Sequence, residues 1–155
     1  MSCSLDIAIF CGGMEINPNT INVKSLGGSE TAGISIAHAL SKIGHKVIFF
    51  CNTKEPTEIE GVKYMPLEFY EGYAINCPHD VHIVQRIPEI LHKKINSKLN
   101  ILWQHDVALK RGRTDFHGAL WQIDKVFCMS QWQINQYKDI MNIDEDDLFL
   151  KTTNG

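Results

Sequence analysis

The stretch that most constrains this chain lies between residues 5 and 51. Leu5-Asp6-Ile7-Ala8-Ile9-Phe10 is a short aliphatic run followed by Gly12-Gly13, and Lys46-Val47-Ile48-Phe49-Phe50-Cys51 is a second such run. Between them, Ser25-Leu26-Gly27-Gly28-Ser29-Glu30 opens a segment with helical periodicity over 29–43. Thr31, Ser35, His38 and Lys42 predict a solvated stripe, and Ala32, Ile36, Ala39, Leu40 and Ile43 the buried one. Ser29 stands where a side chain caps a helix, Glu30 where the dipole favours an acid, and Gly44 where a left-handed residue ends it. Strand, glycine turn, helix and strand make a βαβ unit, which commits the chain to parallel pairing.

The remainder extends the same alternation. Strands are expected over 62–65, 81–84, 100–104, 125–129 and 148–151, seven with the first two. Helices are expected over 88–97, opened by Pro88, over 116–122, and over 131–141, capped by Ser130. Glu60-Gly61 reads as a turn, 66–78 as irregular with one helical turn near 67–70, and 107–114 as a basic loop. The loop over 14–26, with Asn17-Pro18-Asn19 as turn chemistry, is too long for a plain βα connection, and Gly12-Gly13 and Gly27-Gly28 bracket it as one feature. The expected fold class is α/β: a Rossmann-like, doubly wound, mostly parallel sheet with helices on both faces, in one domain over 1–155.

Bulk properties narrow the function classes. A net charge of -3 gives no electrostatic footprint for nucleic acid or an anionic membrane. No apolar run reaches the roughly 20 residues that span a bilayer, and Met1-Ser2-Cys3-Ser4 lacks the basic start of a secretory signal, so a cytoplasmic protein is expected. Five cysteines without a CxxC pair argue against a disulfide framework, and Cys11, Cys51 and Cys128 read as reduced, buried thiols at strand ends.

Topology selects the candidate site. In doubly wound sheets ligands bind beyond the carboxyl ends of the strands, where Gly12, Gly27-Gly28, Cys51, Arg86, Gln104-His105-Asp106 and Ser130 would converge. Gly27-Gly28 would let a phosphate or sugar approach backbone amides at a helix mouth, or would simply form a turn. The spacing is neither the dinucleotide fingerprint nor a P-loop, which disfavours a nicotinamide-dependent protein. His105 is either a hydrogen-bond donor or acid–base group oriented by Asp106, or a histidine satisfied within its turn. Lys110, Arg111 and Arg113 either contact an anion or are solvated. His79 and His82, three apart in a strand, are not expected to share a face, and no metal site is expected.

The order of motifs resembles a known family. Ser25-Leu26-Gly27-Gly28-Ser29-Glu30-Thr31-Ala32, Gly44-His45-Lys46-Val47, Val126-Phe127-Cys128-Met129-Ser130 and Leu150-Lys151-Thr152-Thr153-Asn154-Gly155 look like the N-terminal domain of GT-B retaining glycosyltransferases of family four, which includes sucrose synthases and bacterial mannosyltransferases. The resemblance implies transfer of a hexosyl group from a nucleotide-sugar donor, without metal or cofactor, to an acceptor held mainly by this half. It implies that Gly27 and Gly28 lie against the donor's diphosphate and sugar, and that His105 contacts the transferred sugar as the catalytic residue. Gly12, Ser29, Asp106, Arg111 and Ser130 complete the candidate substrate contacts. It further implies a C-terminal donor-binding domain, in cis or in trans, without which the domain is not expected to turn over. The alternative is a non-catalytic α/β binding or interaction module.

Overall fold

A computed structural model describes residues 3–13, 15–16 and 26–153. The chain forms strands β1 (Asp6–Cys11), β2 (Lys46–Cys51), β3 (Thr57–Ile59), β4 (Val62–Pro66), β5 (His79–Gln85), β6 (Ser97–Trp103), β7 (Lys125–Cys128) and β8 (Phe149–Lys151). Helices are α1 (Gly28–Lys42), α2 (Tyr70–Asn76), α3 (Arg113–Ala119) and α4 (Gln131–Met141), with 3₁₀ turns at Leu67–Phe69, Pro88–His92, Lys110–Gly112 and Asp146–Leu148. The sheet order is β3-β4-β2-β1-β5-β6-β7-β8, parallel except for the β3–β4 hairpin. Counting parallel strands alone, this is the order of a Rossmann-type sheet continued by one strand, and the α/β class is as expected.

Side-chain alternation divides the core between the two faces. Ile7, Ile9 and Cys11 of β1, Phe49 and Cys51 of β2, and Ile101 and Trp103 of β6 pack with Ala32, Ile34 and Ala37 of α1. Ala8, Phe10, Phe50, Val84, Leu102 and Val126 pack on the other face with Tyr70, Phe116, Ile134 and Tyr137 from α2, α3 and α4. One helix thus covers one face and three cover the other. The direction of winding reverses between β1 and β5, which are hydrogen-bonded neighbours. The crevice outside their carboxyl ends is the switch point of the fold.

Several expectations need correction. The helix expected over 88–97 is only the turn at Pro88–His92. The segment must run from the end of β5 back to the start of β6, whose seven residues span roughly 23 Å. A ten-residue helix covers about 15 Å, so the chain turns extended at Lys93 (φ -92°, ψ 145°). Gln122 pairs with this segment, its amide donating to Leu91 O and Lys93 O and accepting from Ile95 N. Residues 70–76, expected to be irregular, form α2, and β3 was not expected at all. That edge hairpin turns at Glu60 and Gly61, both at positive φ (50° and 78°), as the Glu60-Gly61 turn required. The short helix expected over 116–122 is α3, three residues earlier at each end.

Helix α1 begins at Gly28 with Gly27 as N-cap, and Ser29 does not cap it. Its buried residues are Glu30, Ala32, Gly33, Ile34 and Ala37, whereas Ala39 is exposed and Ile43 is 64% exposed. His38, assigned to the solvated stripe, bonds Tyr64 Oη and Glu60 instead. The C-terminal stop is as expected: Gly44 (φ 104°) donates to Ser41 O and His45 N to Leu40 O, a Schellman closure. Ser130 caps α4, its Oγ accepting from Gln133 N. The Asn17-Pro18-Asn19 turn, Ser25 and the Asn154-Gly155 motif lie outside the described residues. Cys11, Cys51 and Cys128 are buried free thiols, each pushed up to about 12, chiefly by burial. No helix among the described residues is long and apolar enough to cross a membrane.

Candidate functional site

The switch point holds a cleft of about 510 Å³ lined by Gly27, Gly28, Ser29, Glu30, Arg86, His105, Asp106 and Met129. Four short segments supply these residues: the mouth of α1 and the turns after β5, β6 and β7.

The glycine segments meet around one carboxylate. Glu30 is only 3% exposed, and Ser29 Oγ donates to its Oε2 at 2.9 Å. A Cβ on Gly13 would stand 2.3 Å from Glu30 Oε1, and one on Gly27 would stand 2.3 Å from Oε2. Gly13 and Gly27 therefore lack side chains because the Glu30 carboxylate occupies that space. Gly28 differs, with nothing among the described residues within 4 Å of its would-be Cβ. It is the open floor of the cleft at the helix mouth.

His105 is held from below. Gln85, fully buried at the end of β5, donates from Nε2 to Ser29 O at 3.0 Å and to His105 Nε2 at 3.0 Å. A carbonyl only accepts, so this bond fixes which end of the Gln85 amide is nitrogen. His105 Nε2 is then the acceptor, and Nδ1 carries the proton of the neutral ring. The ring lies against Trp103, with centroids 4.7 Å apart. Burial, more than any charge, lowers the His105 pKa; Asp106 and Glu30 oppose the shift and Arg86 adds to it. Near neutrality His105 is thus an uncharged donor.

Arg86 and Asp106 form the far wall, with Nε donating to Oδ2 at 2.7 Å. At 37% and 58% side-chain exposure the pair is solvent-screened, worth no more than about 1 kcal/mol, so it orients the two groups more than it stabilises the fold. Arg86 has φ 70°, a left-handed conformation that costs a bulky residue roughly 1–2 kcal/mol. Gln85 Oε1 and Trp103 Nε1, on register-paired strand positions beneath the cleft, are buried with no hydrogen-bond partner among the described residues. Each such orphan costs about 1–3 kcal/mol. Backbone strain and unpaired polar atoms at one strand edge mark a place where the fold gives up stability.

Of the expected site residues, Gly27, Gly28, Ser29, His105 and Asp106 share this cleft. Arg111 lines a neighbouring cleft, with Arg86 and Asp106 common to both. Gly12 lines neither; a Cβ there would meet Ile87 and Phe10. Ser130 also lines neither, its hydroxyl being engaged by the α4 cap, while the adjacent Met129 reaches the cleft. Glu30 as a buried clamp, Gln85 and Trp103 were not anticipated as site residues. A polar residue closing the apolar strand Ile83-Val84-Gln85 was the available signal for the second of these. His79 and His82 do meet, contrary to expectation: His79 Nε2 lies 2.7 Å from His82 Nδ1. Among the described residues no group of three His, Cys, Asp or Glu side chains is placed to hold a metal ion.

Comparison with known proteins adds no identification, since neither a family model nor a curated protein matches the sequence.

Proposed function

We propose that this chain is the acceptor-side domain of a retaining glycosyltransferase that moves a hexosyl group from a nucleotide-sugar. The observation that carries the reading is the assembly, in one cleft at the switch point, of an unobstructed helix mouth at Gly28 and a neutral histidine at His105. The start of α1 is the positive end of the helix dipole, which suits the oxygens of a diphosphate or sugar. His105 supplies a neutral donor to a hydroxyl of the transferred sugar or to the negative charge that develops on the departing diphosphate.

The charge balance supports a division of labour. Glu30, Arg86 and Asp106 line the cleft, one cation against two carboxylates, so this wall suits the uncharged sugar better than the diphosphate. The cations that neutralise the diphosphate would come from a second domain, in cis or in trans. Gly28 and the α1 amides then meet the donor at its sugar–phosphate junction.

The test is a transfer assay of the intact gene product against a panel of nucleotide-sugars. His105→Ala should lower the transfer rate at least a hundredfold with little change in melting temperature. A near-wild-type rate would return His105 to a structural role. The second reading, a non-catalytic module, is favoured if no member of the panel is turned over or hydrolysed.

A further inference from the structure

A second and larger cleft, about 590 Å³, adjoins the first across the Arg86–Asp106 pair. It opens on the sheet face covered by α3 and α4. Its floor is Phe116, Tyr137 and Met141, and its rim includes Ile87 with Val107 and Leu109, which remain 50% and 44% exposed. Gln104 also lines it. That residue follows β6, and strand alternation puts it on the same face as Leu102, opposite Trp103. Gln104 is 3% exposed, no hydrogen bond joins its carboxamide to another described residue, and the amide is not among the fully buried partnerless groups, so it meets the open cleft. An amide held in the wall and open to the cavity leaves its donor and acceptor available to a ligand.

We propose that this cleft binds an uncharged amphiphile, an apolar alkyl or aryl body joined to a hydroxyl-bearing head. The body would pack on Phe116, Ile87 and Leu109. The head would pair with the donor and acceptor of the Gln104 amide, since a hydroxyl both gives and takes a hydrogen bond. Charge excludes an anionic head: once Arg86 is paired with Asp106, Arg111 faces two carboxylates, Glu89 and Asp115. The ion pair partitions this ligand from the first cleft while leaving the two contiguous. Naming the ligand as the sugar acceptor rests on the glycosyltransferase reading; the binding site itself does not.

The experiment is a titration of the full-length protein with n-octyl β-D-glucoside below its micellar concentration, beside octyl sulfate and free glucose. The glucoside should bind at least tenfold more tightly than either control. Gln104→Leu should weaken it about tenfold while the melting temperature holds or rises, which an amide serving the fold would not allow. Leu109→Asp, at an exposed position, should abolish binding without unfolding the protein. Equal binding of octyl sulfate, no binding of the glucoside, or affinity indifferent to both substitutions would overturn the proposal. Glucoside binding without transfer from any nucleotide-sugar keeps the cleft and removes the acceptor. Transfer with acceptor affinity unmoved by both variants keeps the transferase and removes the cleft.

Discussion

At the scale of single residues, Gly27 and Gly28 look equivalent in the sequence and are not equivalent in the fold. Gly27 makes room for a buried carboxylate, and no described residue stands within 4 Å of where a Gly28 side chain would begin. Gly27→Ala should therefore lose about 1–3 kcal/mol, as overpacking does, through displacement of Glu30. Gly28→Ala should be neutral or gain up to about 1 kcal/mol from the stiffer unfolded chain. Urea denaturation of both variants checks this, and equal losses would contradict it. The sequence carried the glycines and His105 plainly but not their supports. Glu30 reads on paper as an acid favoured by the helix dipole; its place between Gly27 and Gly13 depends on a residue 17 positions earlier in the chain. Gln85 bridges Ser29 and His105, two contacts far apart in sequence, and no local pattern encodes that.

At the scale of elements, α2 is fastened to the sheet by a directed chain of hydrogen bonds. Cys77 O accepts from His79 Nδ1 at 2.7 Å; His79 Nε2 then accepts from His82 Nδ1, and His82 Nε2 accepts from Tyr70 Oη, each at 2.7 Å. The direction is set by the carbonyl at its end and requires both rings neutral. Burial holds both histidines below their usual range, His82 down to about 3, with His79 adding to that shift. Nearby Asp80 and Asp6 pull His79 the other way without reversing it. With folded values below the unfolded value near 6.5, the unfolded chain binds more protons, so stability falls as pH drops from about 6.5 towards 3. His82 contributes at most roughly 1.4 kcal/mol per pH unit in that window, and His79 adds to the loss in the same direction. Asp80 and Asp146, whose lowered values follow from bonds to Lys98 and Lys138, add their loss only below about 4. Urea midpoints at pH 7, 5.5 and 4.5 should therefore decline before the carboxylates titrate. A flat profile down to pH 4.5 would refute the neutral relay. This pair also shows where element reading fails. Alternation separates residues three apart in a regular strand, but His79 is the first residue of β5, where the chain has just turned at Cys77 and Pro78. The extended path after His92 was illegible for a related reason: its local pattern suits a helix, and only the span from β5 to β6 forbids one.

At the scale of the whole molecule, the strand order explains why distant segments share one site. The βαβ unit at the start fixes β1 between β2 and β5, and the reversal there leaves a crevice that α1, the β5 turn and the β6 turn must rim. That much was legible, because strand ends in a parallel sheet are determined by the alternation of elements. The division into two clefts was not, since it depends on a single ion pair between Arg86 and Asp106 and on the left-handed turn that presents Arg86. On the proposed function, the Gly28 mouth receives a nucleotide-sugar. Calorimetric titration of the intact protein with a nucleotide-sugar panel, for wild type and Gly28→Val, tests it most directly. At least one member should bind, and Gly28→Val should weaken it tenfold or more with an unchanged melting temperature. Failure of every member to bind, or equal affinity in the two proteins, would contradict it.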